Sequence, residues 1–193
     1  MKEEARKQNR QSASDELFKV AFQVFEQDAA GAVATSPLRI VPRSQADKER
    51  SWLLKNGRAK SIARPWTIAR SGDVATSRVV ANHPIVAASE PGKVTVEYLP
   101  VGYIFNVLPM RLADGNIYLG LNMTMSDVLG EEIIGGNTYP VISSCIFSAP
   151  LTFQSGESVV INGLEIERTP KLKKTAITVF VTVDAVQEME IGA

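Results

Sequence analysis

Only a few residues of this 193-residue chain have the types and spacing that chemistry requires. The single histidine, His83, precedes Pro84 in Ala-Asn-His-Pro, which is typical of a turn, and no serine or cysteine nucleophile motif surrounds it. The single cysteine, Cys145, lies in Ser-Ser-Cys-Ile-Phe, a setting typical of a small buried strand residue rather than of a nucleophile. Neither residue therefore indicates a catalytic dyad.

Metal and cofactor sites are not indicated either. One cysteine and one histidine exclude an intrachain disulfide framework, a Cys-rich metal site and a multi-His metal site. Glu131 and Glu132 are adjacent carboxylates beside glycines, a pattern typical of solvated side chains. Gly135-Gly136-Asn137 lacks the strand and helix context of a dinucleotide site, and no Walker-type phosphate loop occurs. We predict no enzyme activity, no cofactor and no metal, and we assign no catalytic, cofactor-binding or metal-binding residue.

The charge balance narrows the possible partners. The chain has 21 Lys+Arg against 21 Asp+Glu, and zero net charge argues against binding dominated by nucleic-acid phosphates. The charges are nevertheless split, because residues 1–70 sum to +6 and residues 71–193 sum to −6. A basic arm that docks on an acidic surface, including that of a neighbouring copy, explains the split, and so does simple solvation of an outer face.

Two helices are predicted near the N-terminus. Residues 14–28, capped by Ser12 or Ser14, carry an apolar stripe near the 3.6-residue period. Residues 44–56 begin with a capping-box-like Ser44-x-x-Asp47 and end before Gly57, which suits a left-handed C-terminal position.

From residue 58 onward the pattern becomes that of strands. Residues 117–125 and 175–183 alternate between apolar and small or polar residues, which predicts strands. Asp114-Gly115 predicts a hairpin, and Ser155-Gly156 similarly separates residues 141–153 from 158–166. The fold class is therefore α+β and β-dominated, with two N-terminal helices followed by an antiparallel strand meander. Alternation alone does not distinguish a sheet with one wet face from a sheet around a water-filled lumen.

Several segments, taken in order over about residues 50–186, resemble the C-terminal module of the bacterial secretin family. They are the Leu-rich stretch 53–65 ending in Arg-Pro, Gly72-Asp73-Val74-Ala75, His83-Pro84-Ile85, Val-Gly-Tyr-Ile-Phe-Asn-Val-Leu-Pro at 101–109, the Asp114-Gly115 hairpin, Ser-Gly-Glu-Ser-Val-Val-Ile-Asn-Gly-Leu at 155–164, and the strand 176–183. The chain departs from the family pattern at Asn162, where the family has a glycine, and at Asp184, where it has a proline. It also lacks the family's Ile-Pro-x-Leu-Gly segment.

The resemblance implies a function and a location. Secretins are homo-oligomeric outer-membrane channels of type II and III secretion, type IV pilus systems and filamentous-phage export, built as gated, double-walled β-barrels. The expected partners are other copies in a ring, outer-membrane lipid, and other secretion or pilus components. The expected location is the bacterial outer membrane, with the signal peptide and upstream domains not present in this chain. The competing hypothesis is a non-membrane β-rich structural or assembly module of a cell surface or virion-like particle.

The resemblance also implies domain boundaries and site residues. Residues 1–57 are expected to be an N-terminal helical extension, 58–186 the secretin-like β-barrel module, and 187–193 a C-terminal tail. The implied gate and hinge candidates, in and beside a short gate hairpin at 83–100, are Pro84, Gly92, Pro100 and Gly102. The implied barrel-motif residues are Gly57, Pro65, Pro109, Gly115, Gly156, Glu157, Gly163 and Leu164. The membrane-contact candidates, in a predicted loop at 126–138, are Val128, Leu129, Ile133 and Ile134.

Overall fold

The computed structural model describes residues 16–28, 36–57, 59–90, 93–168 and 173–186. These residues form ten strands and one helix. In chain order they are β1 (Leu17–Asp28), β2 (Leu38–Pro42), α1 (Arg43–Lys55), β3 (Ala59–Ala63), β4 (Trp66–Arg70), β5 (Ala75–Glu90), β6 (Lys93–Arg111), β7 (Ile117–Ile134), β8 (Asn137–Phe153), β9 (Glu157–Arg168) and β10 (Lys173–Val186).

The strands form two antiparallel sheets. The six-stranded sheet has the order β2-β9-β10-β1-β3, and β4 also pairs with β1. The four-stranded sheet is a meander of β5, β6, β7 and β8. The first sheet therefore combines strands from both ends of the chain, whereas the second is contiguous in sequence.

The main core lies between the two sheets. The Phe22 ring of β1 stacks on the Phe105 ring of β6, with their centroids 4.3 Å apart. The alternation predicted for 117–125 is confirmed, because every odd-numbered residue of that stretch points into this core. They are Ile117, Leu119, Leu121, Met123 and Met125, all buried.

The helix α1 covers the opposite face of the six-stranded sheet. Phe25 and Phe180 meet edge to face there, with ring centroids 5.6 Å apart, and Ala46 and Leu53 of α1 complete this second apolar cluster. Residues 175–181 and Val183 of β10 are consequently buried, so this strand is covered on both faces. The strand prediction for this stretch is confirmed.

The predicted helix at 14–28 is wrong, because residues 17–28 form the strand β1. Its register with β10 runs without interruption from Leu17 opposite Val186 to Asp28 opposite Thr175. Phe18, Val20, Phe22 and Val24 alternate and fill the main core, while Phe25 packs under α1. A strand buried on both faces has apolar residues at odd and even positions, which imitates a broad helical stripe. Residues 17–28 thus belong to the six-stranded sheet and not to a helix.

The second predicted helix is confirmed, although it does not begin as expected. Helix α1 starts at Arg43, after Pro42, and no side chain caps it, so Ser44 and Asp47 form no capping box. Instead, the Arg43 backbone N–H donates to the carbonyl of Gly156. At the other end Gly57 has φ +61°, the left-handed conformation predicted for it.

Glycines with positive φ angles form the turns between the long strands. Asp114-Gly115 joins β6 to β7 as the predicted hairpin, and Gly115 has φ +86°. The Ser155-Gly156 turn instead carries the chain from the four-stranded sheet into the six-stranded sheet, since β8 and β9 do not pair. A tight Gly135-Gly136 turn joins β7 to β8, with φ +59° and +83°.

Candidate functional site: a fork in the four-stranded sheet

The four-stranded sheet divides into two hairpins part of the way along its length. Strands β6 and β7 pair from Arg111–Ile117 as far as Tyr103–Met125, and the ladder ends there. Beyond this point β5 and β6 stay paired up to Glu90–Lys93, and β7 and β8 up to Ile134–Asn137. We call the upper part of β5–β6, residues 80–90 and 93–102, the first hairpin, and the upper part of β7–β8, residues 126–145, the second hairpin.

Gly102 and Ser126 occupy the fork itself. They would form the next rung of the β6–β7 ladder. Instead, the backbone N–H and C=O of Gly102 both pair with the hydroxyl of Ser126. The Gly102 N–H donates to Ser126 Oγ at 3.0 Å, and Ser126 Oγ donates to the Gly102 carbonyl at 3.4 Å. A side chain thus replaces the partner strand where the hairpins separate.

The backbone at Gly102 requires glycine. Its φ of +140° lies outside the region that side chains favour. A Cβ on Gly102 would lie 2.3 Å from the backbone oxygen of Val79 and 3.0 Å from the Cα of Val80. These obstacles are main-chain atoms that cannot rotate away. Strand β6 therefore bends closely over β5 at the base of the first hairpin.

The two hairpins touch again above the fork. The hydroxyl of Tyr139 in β8 donates to the carbonyl of Val86 in β5, at 3.1 Å. Val86 adjoins a register shift in the β5–β6 ladder. The second hairpin has a similar shift, between Val128 and Gly130. The two hairpins are therefore connected by Ser126 at the base of the fork and by Tyr139 above it.

Three of the four gate and hinge candidates, Pro84, Pro100 and Gly102, lie on the first hairpin. Pro84 of β5 is exposed opposite Tyr98, and Pro100 of β6 is exposed opposite Asn82. Gly102 lies at the fork, and Gly92 falls outside the described residues. His83 is half-buried within β5 opposite Leu99, so the turn expected around it is wrong. The preference of a residue before proline for extended backbone suits this strand equally well.

The barrel-motif candidates do not converge on one site. Pro65 separates β3 from β4, and its carbonyl accepts the Phe22 N–H at 2.9 Å. Pro109 is buried within β6, and its carbonyl accepts the Gly72 N–H at 2.8 Å. Pro65 therefore lies at a strand boundary, and Pro109 links β6 to the segment that follows β4.

The remaining candidates of this group belong to turns and a bulge. Gly57 follows α1 and Gly115 forms the β6–β7 turn. Gly156 and Glu157 form the sheet-crossing turn, where Glu157 Oε2 accepts the Gln154 N–H at 2.7 Å. Gly163, with φ +71°, lies at a register shift in the β9–β10 ladder, and the adjacent Leu164 packs on the main core.

The membrane-contact candidates lie on the second hairpin, where the predicted loop at 126–138 is wrong. Strand β7 continues through Ile134, and β8 starts at Asn137, because two glycines suffice for the turn. Ile133 and Ile134 are exposed at the tip, by 76% and 56%. Val128 and Leu129 are half-buried nearer the fork.

The outward face of the four-stranded sheet mixes polar and apolar residues and holds a shallow groove. The groove has a volume of about 440 Å³ and lies over Gly120, with Asn106, Asn122, Tyr118 and Ser148 around it. Thr76 Oγ1 donates to Asn106 Oδ1 at 2.7 Å on the same face. Leu108 and Pro150 also line the groove, so neither water nor an apolar partner is singled out for this face.

The described residues with reactive side chains form no catalytic or metal-binding cluster. Cys145 is half-buried in β8 beside the main core, and burial raises the pKa of its thiol above the ordinary value. Among the described residues, no group of three His, Cys, Asp or Glu side chains is placed to hold a metal ion. In the same part of the chain, no helix is long and apolar enough to cross a membrane.

Comparison with known proteins identifies the family. The secretin family, described as bacterial type II and III secretion system protein, matches residues 52–188. The chain belongs to this family, and the resemblance found in the sequence is confirmed. No curated protein matches the chain.

Solved structures show the same fold at low sequence identity. The type II secretion system secretin GspD of E. coli K12 is 14% identical, with a TM-score of 0.55 over 98% of this chain and 54% of that chain. The Klebsiella pneumoniae type II outer membrane complex of PulD, PulS and the PulC HR domain gives 14% identity and a TM-score of 0.55, over 97% of this chain and 43% of that chain.

GspD of enteropathogenic Escherichia coli is also 14% identical, with a TM-score of 0.54 over 96% of this chain and 75% of that chain. The chain thus spans about half the length of the first of these structures. At identities this low, the comparison with solved structures establishes only that the fold is shared.

Two residues of the fork were not found from the sequence. Ser126 follows directly on the alternating stretch 117–125, and Tyr139 follows the two-glycine turn, but neither position carries a motif. Their roles depend on where the β6–β7 ladder ends, which strand patterns alone do not determine.

Proposed function

We propose that this chain is a subunit of a homo-oligomeric outer-membrane secretin channel that exports proteins, pili or phage through a gated β-barrel pore. The observation that carries the proposal, besides family membership, is the pairing of the four-stranded sheet. Within the part of the chain that the structure describes, β5 pairs only with β6, and β8 pairs only with β7. Long open edges are an aggregation liability that closure into a barrel removes.

The strand directions suit closure between copies. The four strands alternate in direction, so β8 of one copy runs antiparallel to β5 of the next. Below the fork, where β6 and β7 are paired, a ring built in this way is one continuous antiparallel barrel with four strands from each copy. The two sheets of one copy, packed face to face, then provide a double wall.

The strand lengths suit a membrane-spanning barrel. Strand β7 has 18 residues and β8 has 17, and both run on into the second hairpin. At about 3.3 Å per residue, such strands are about 60 Å long and exceed the hydrocarbon core of a bilayer, about 30 Å thick, even when tilted by about 45°. The exposed Ile133 and Ile134 at the end of the second hairpin are the proposed lipid contacts. The adjacent Glu131 and Glu132 are exposed, and placing them at the interface avoids the cost of carboxylates in hydrocarbon.

The gate of the proposed pore is the first hairpin, with Gly102 as its hinge and Pro84 and Pro100 along it. A β-hairpin joined to the wall at one bent glycine can change its angle with few other rearrangements. The split charges, +6 in residues 1–70 and −6 in residues 71–193, are proposed to favour assembly between copies. Assembly is then expected at low salt in detergent, and a chain that stays monomeric there contradicts this role.

Negative-stain imaging after mild detergent extraction tests the function. Membranes of cells that express the chain are extracted, and the purified particles are compared with an extract of cells without it. Rings with a central lumen are expected. A compact monomer or small oligomer without a pore overturns the proposal and favours the non-membrane structural module.

A further inference from the structure

We propose that Tyr139 and Ser126 are positioning residues that hold the first hairpin against the second hairpin of the same chain, in the orientation that leaves the pore open. The inference rests on the proposed channel function. It concerns two side chains that the barrel itself does not require, because both act between the hairpins and not within a β ladder.

The distance between β5 and β8 shows that the hairpins fold toward one another. The two strands are the outer members of a four-stranded sheet and are separated by three strand spacings. In a flat sheet this separation is about 14 Å, too far for a tyrosine side chain to bridge. Tyr139 nevertheless places its hydroxyl 3.1 Å from the Val86 carbonyl. Above the fork the two hairpins therefore lie against each other.

The fork provides the freedom that such docking needs. Beyond Tyr103–Met125 no ladder joins β6 to β7, so the first hairpin is attached through its own strands at Gly102. Ser126 occupies both backbone groups of Gly102, which fixes the angle at which β6 leaves the sheet. Tyr139 then holds the hairpin at a second point, about halfway to its tip.

Two points of attachment define an orientation. A hairpin that lies on the second hairpin, which belongs to the barrel wall, cannot also reach toward the pore axis. The docked arrangement is thus the open one, and loss of either hydroxyl shifts the population toward free hairpins that occlude the pore. A single hydrogen bond of this kind changes such an equilibrium by about two- to tenfold.

Spin-label distances test the docking itself, whether or not the chain forms a channel. Labels at Thr95→Cys and Thr138→Cys, both exposed positions, report on the two hairpins in a Cys145→Ser background. Labelled chains are mixed with an excess of unlabelled chains, so that only distances within one copy are measured. Tyr139→Phe is expected to lower the docked-to-free ratio by about two- to tenfold. The control Tyr98→Phe, on the exposed side of the first hairpin, is expected to leave the ratio unchanged.

Ser144 provides the matched control for the substitutions of Ser126. Ser144 lies opposite Ser126 in the β7–β8 ladder and is exposed. Ser126→Ala is expected to lower the docked fraction, Ser126→Thr to restore it by keeping the hydroxyl, and Ser144→Ala to have no effect. Equal distance distributions for Tyr139→Phe, Ser126→Ala and the unmodified hairpins overturn the inference.

Conductance separates a positioning role from a merely stabilising one. Purified rings in a planar bilayer are expected to spend a smaller fraction of time open when they carry Tyr139→Phe, with an unchanged melting temperature. An unchanged or larger open fraction overturns the inference. Absence of rings for the unmodified chain contradicts the proposed function instead, while the spin-label distances still decide whether the hairpins dock.

Discussion

Arg111 and Glu16 join the two sheets at the end of the molecule opposite the fork. Nε of Arg111 donates to Oε2 of Glu16 at 3.0 Å and its Nη2 donates to Oε1 at 2.6 Å, which makes a bidentate ion pair. The same guanidinium donates to the Gly115 carbonyl at 3.0 Å and lies over the Phe18 ring, 5.3 Å from its centroid. The pair thus ties the start of β1 to the β6–β7 hairpin.

Replacing Arg111 by Met should destabilise the chain by about 1–2 kcal/mol, because Glu16 loses a bidentate partner in a half-buried setting. Urea unfolding measures the change. The Glu16 hydrogen bond raises the pKa of Arg111, so the stabilising charge is lost only as the pH rises through that raised pKa, above the range of such experiments. The control Arg43→Met removes the more exposed pair with Asp184 and should cost less than about 0.5 kcal/mol. Equal costs for both variants would contradict the role given to Arg111.

Gly102→Ala should be the most disruptive glycine substitution on the fork. The added methyl meets the backbone of Val79 and Val80 at a positive φ, which should cost about 2–4 kcal/mol. Thermal unfolding and the proportion of rings in detergent are the two measurements. The matched control is Gly130→Ala on the second hairpin, where a Cβ meets nothing within 4 Å. That substitution should stay within about 0.5 kcal/mol of the unmodified chain, and a Gly102→Ala variant equally close to it would contradict the account.

Phe22→Ala should remove the principal contact between the sheets. The Phe22 ring is buried and stacked on Phe105, and truncation should lower the free energy of unfolding by about 3–5 kcal/mol. Phe22→Leu retains most of the apolar volume and should cost about 1–2 kcal/mol, which keeps the comparison measurable if the alanine variant does not fold. The exposed Ile146→Ala serves as the control and should be nearly neutral. A similar cost for Phe22→Ala and Ile146→Ala would place the core elsewhere.

Cys145 should react slowly with alkylating reagents in the folded protein. Burial raises the pKa of its thiol, so less of the nucleophilic thiolate is present at a given pH and the pH–rate curve shifts upward. Iodoacetamide labelling followed by mass spectrometry, with the urea-unfolded chain as control, measures this shift. Identical curves in the folded and unfolded chains would show that packing against the main core does not cover the thiol.

Much of the fold could be predicted from local patterns. The strand at 117–125, the Asp114-Gly115 hairpin and the left-handed Gly57 depend on alternation and on backbone preferences that are visible in a few residues. The family resemblance also follows from local segments whose order is preserved along the chain.

What could not be predicted depends on pairing across long distances. Strand β1 was predicted as a helix because its apolar residues face two layers, and its partner β10 lies more than 140 residues away in sequence. The fork could not be predicted from the sequence for a related reason. The point where the β6–β7 ladder stops is set by the backbone of Gly102 against Val79 and by the Ser126 hydroxyl, and neither contact has a sequence signature.

The proposed function requires that copies of this chain close into a ring with a pore. Negative-stain imaging of particles extracted in mild detergent tests it most directly. Rings with a central stain-filled lumen are expected, and they should be absent from cells that lack the chain. Uniform compact particles without a lumen, from a preparation in which the chain is folded, would contradict it.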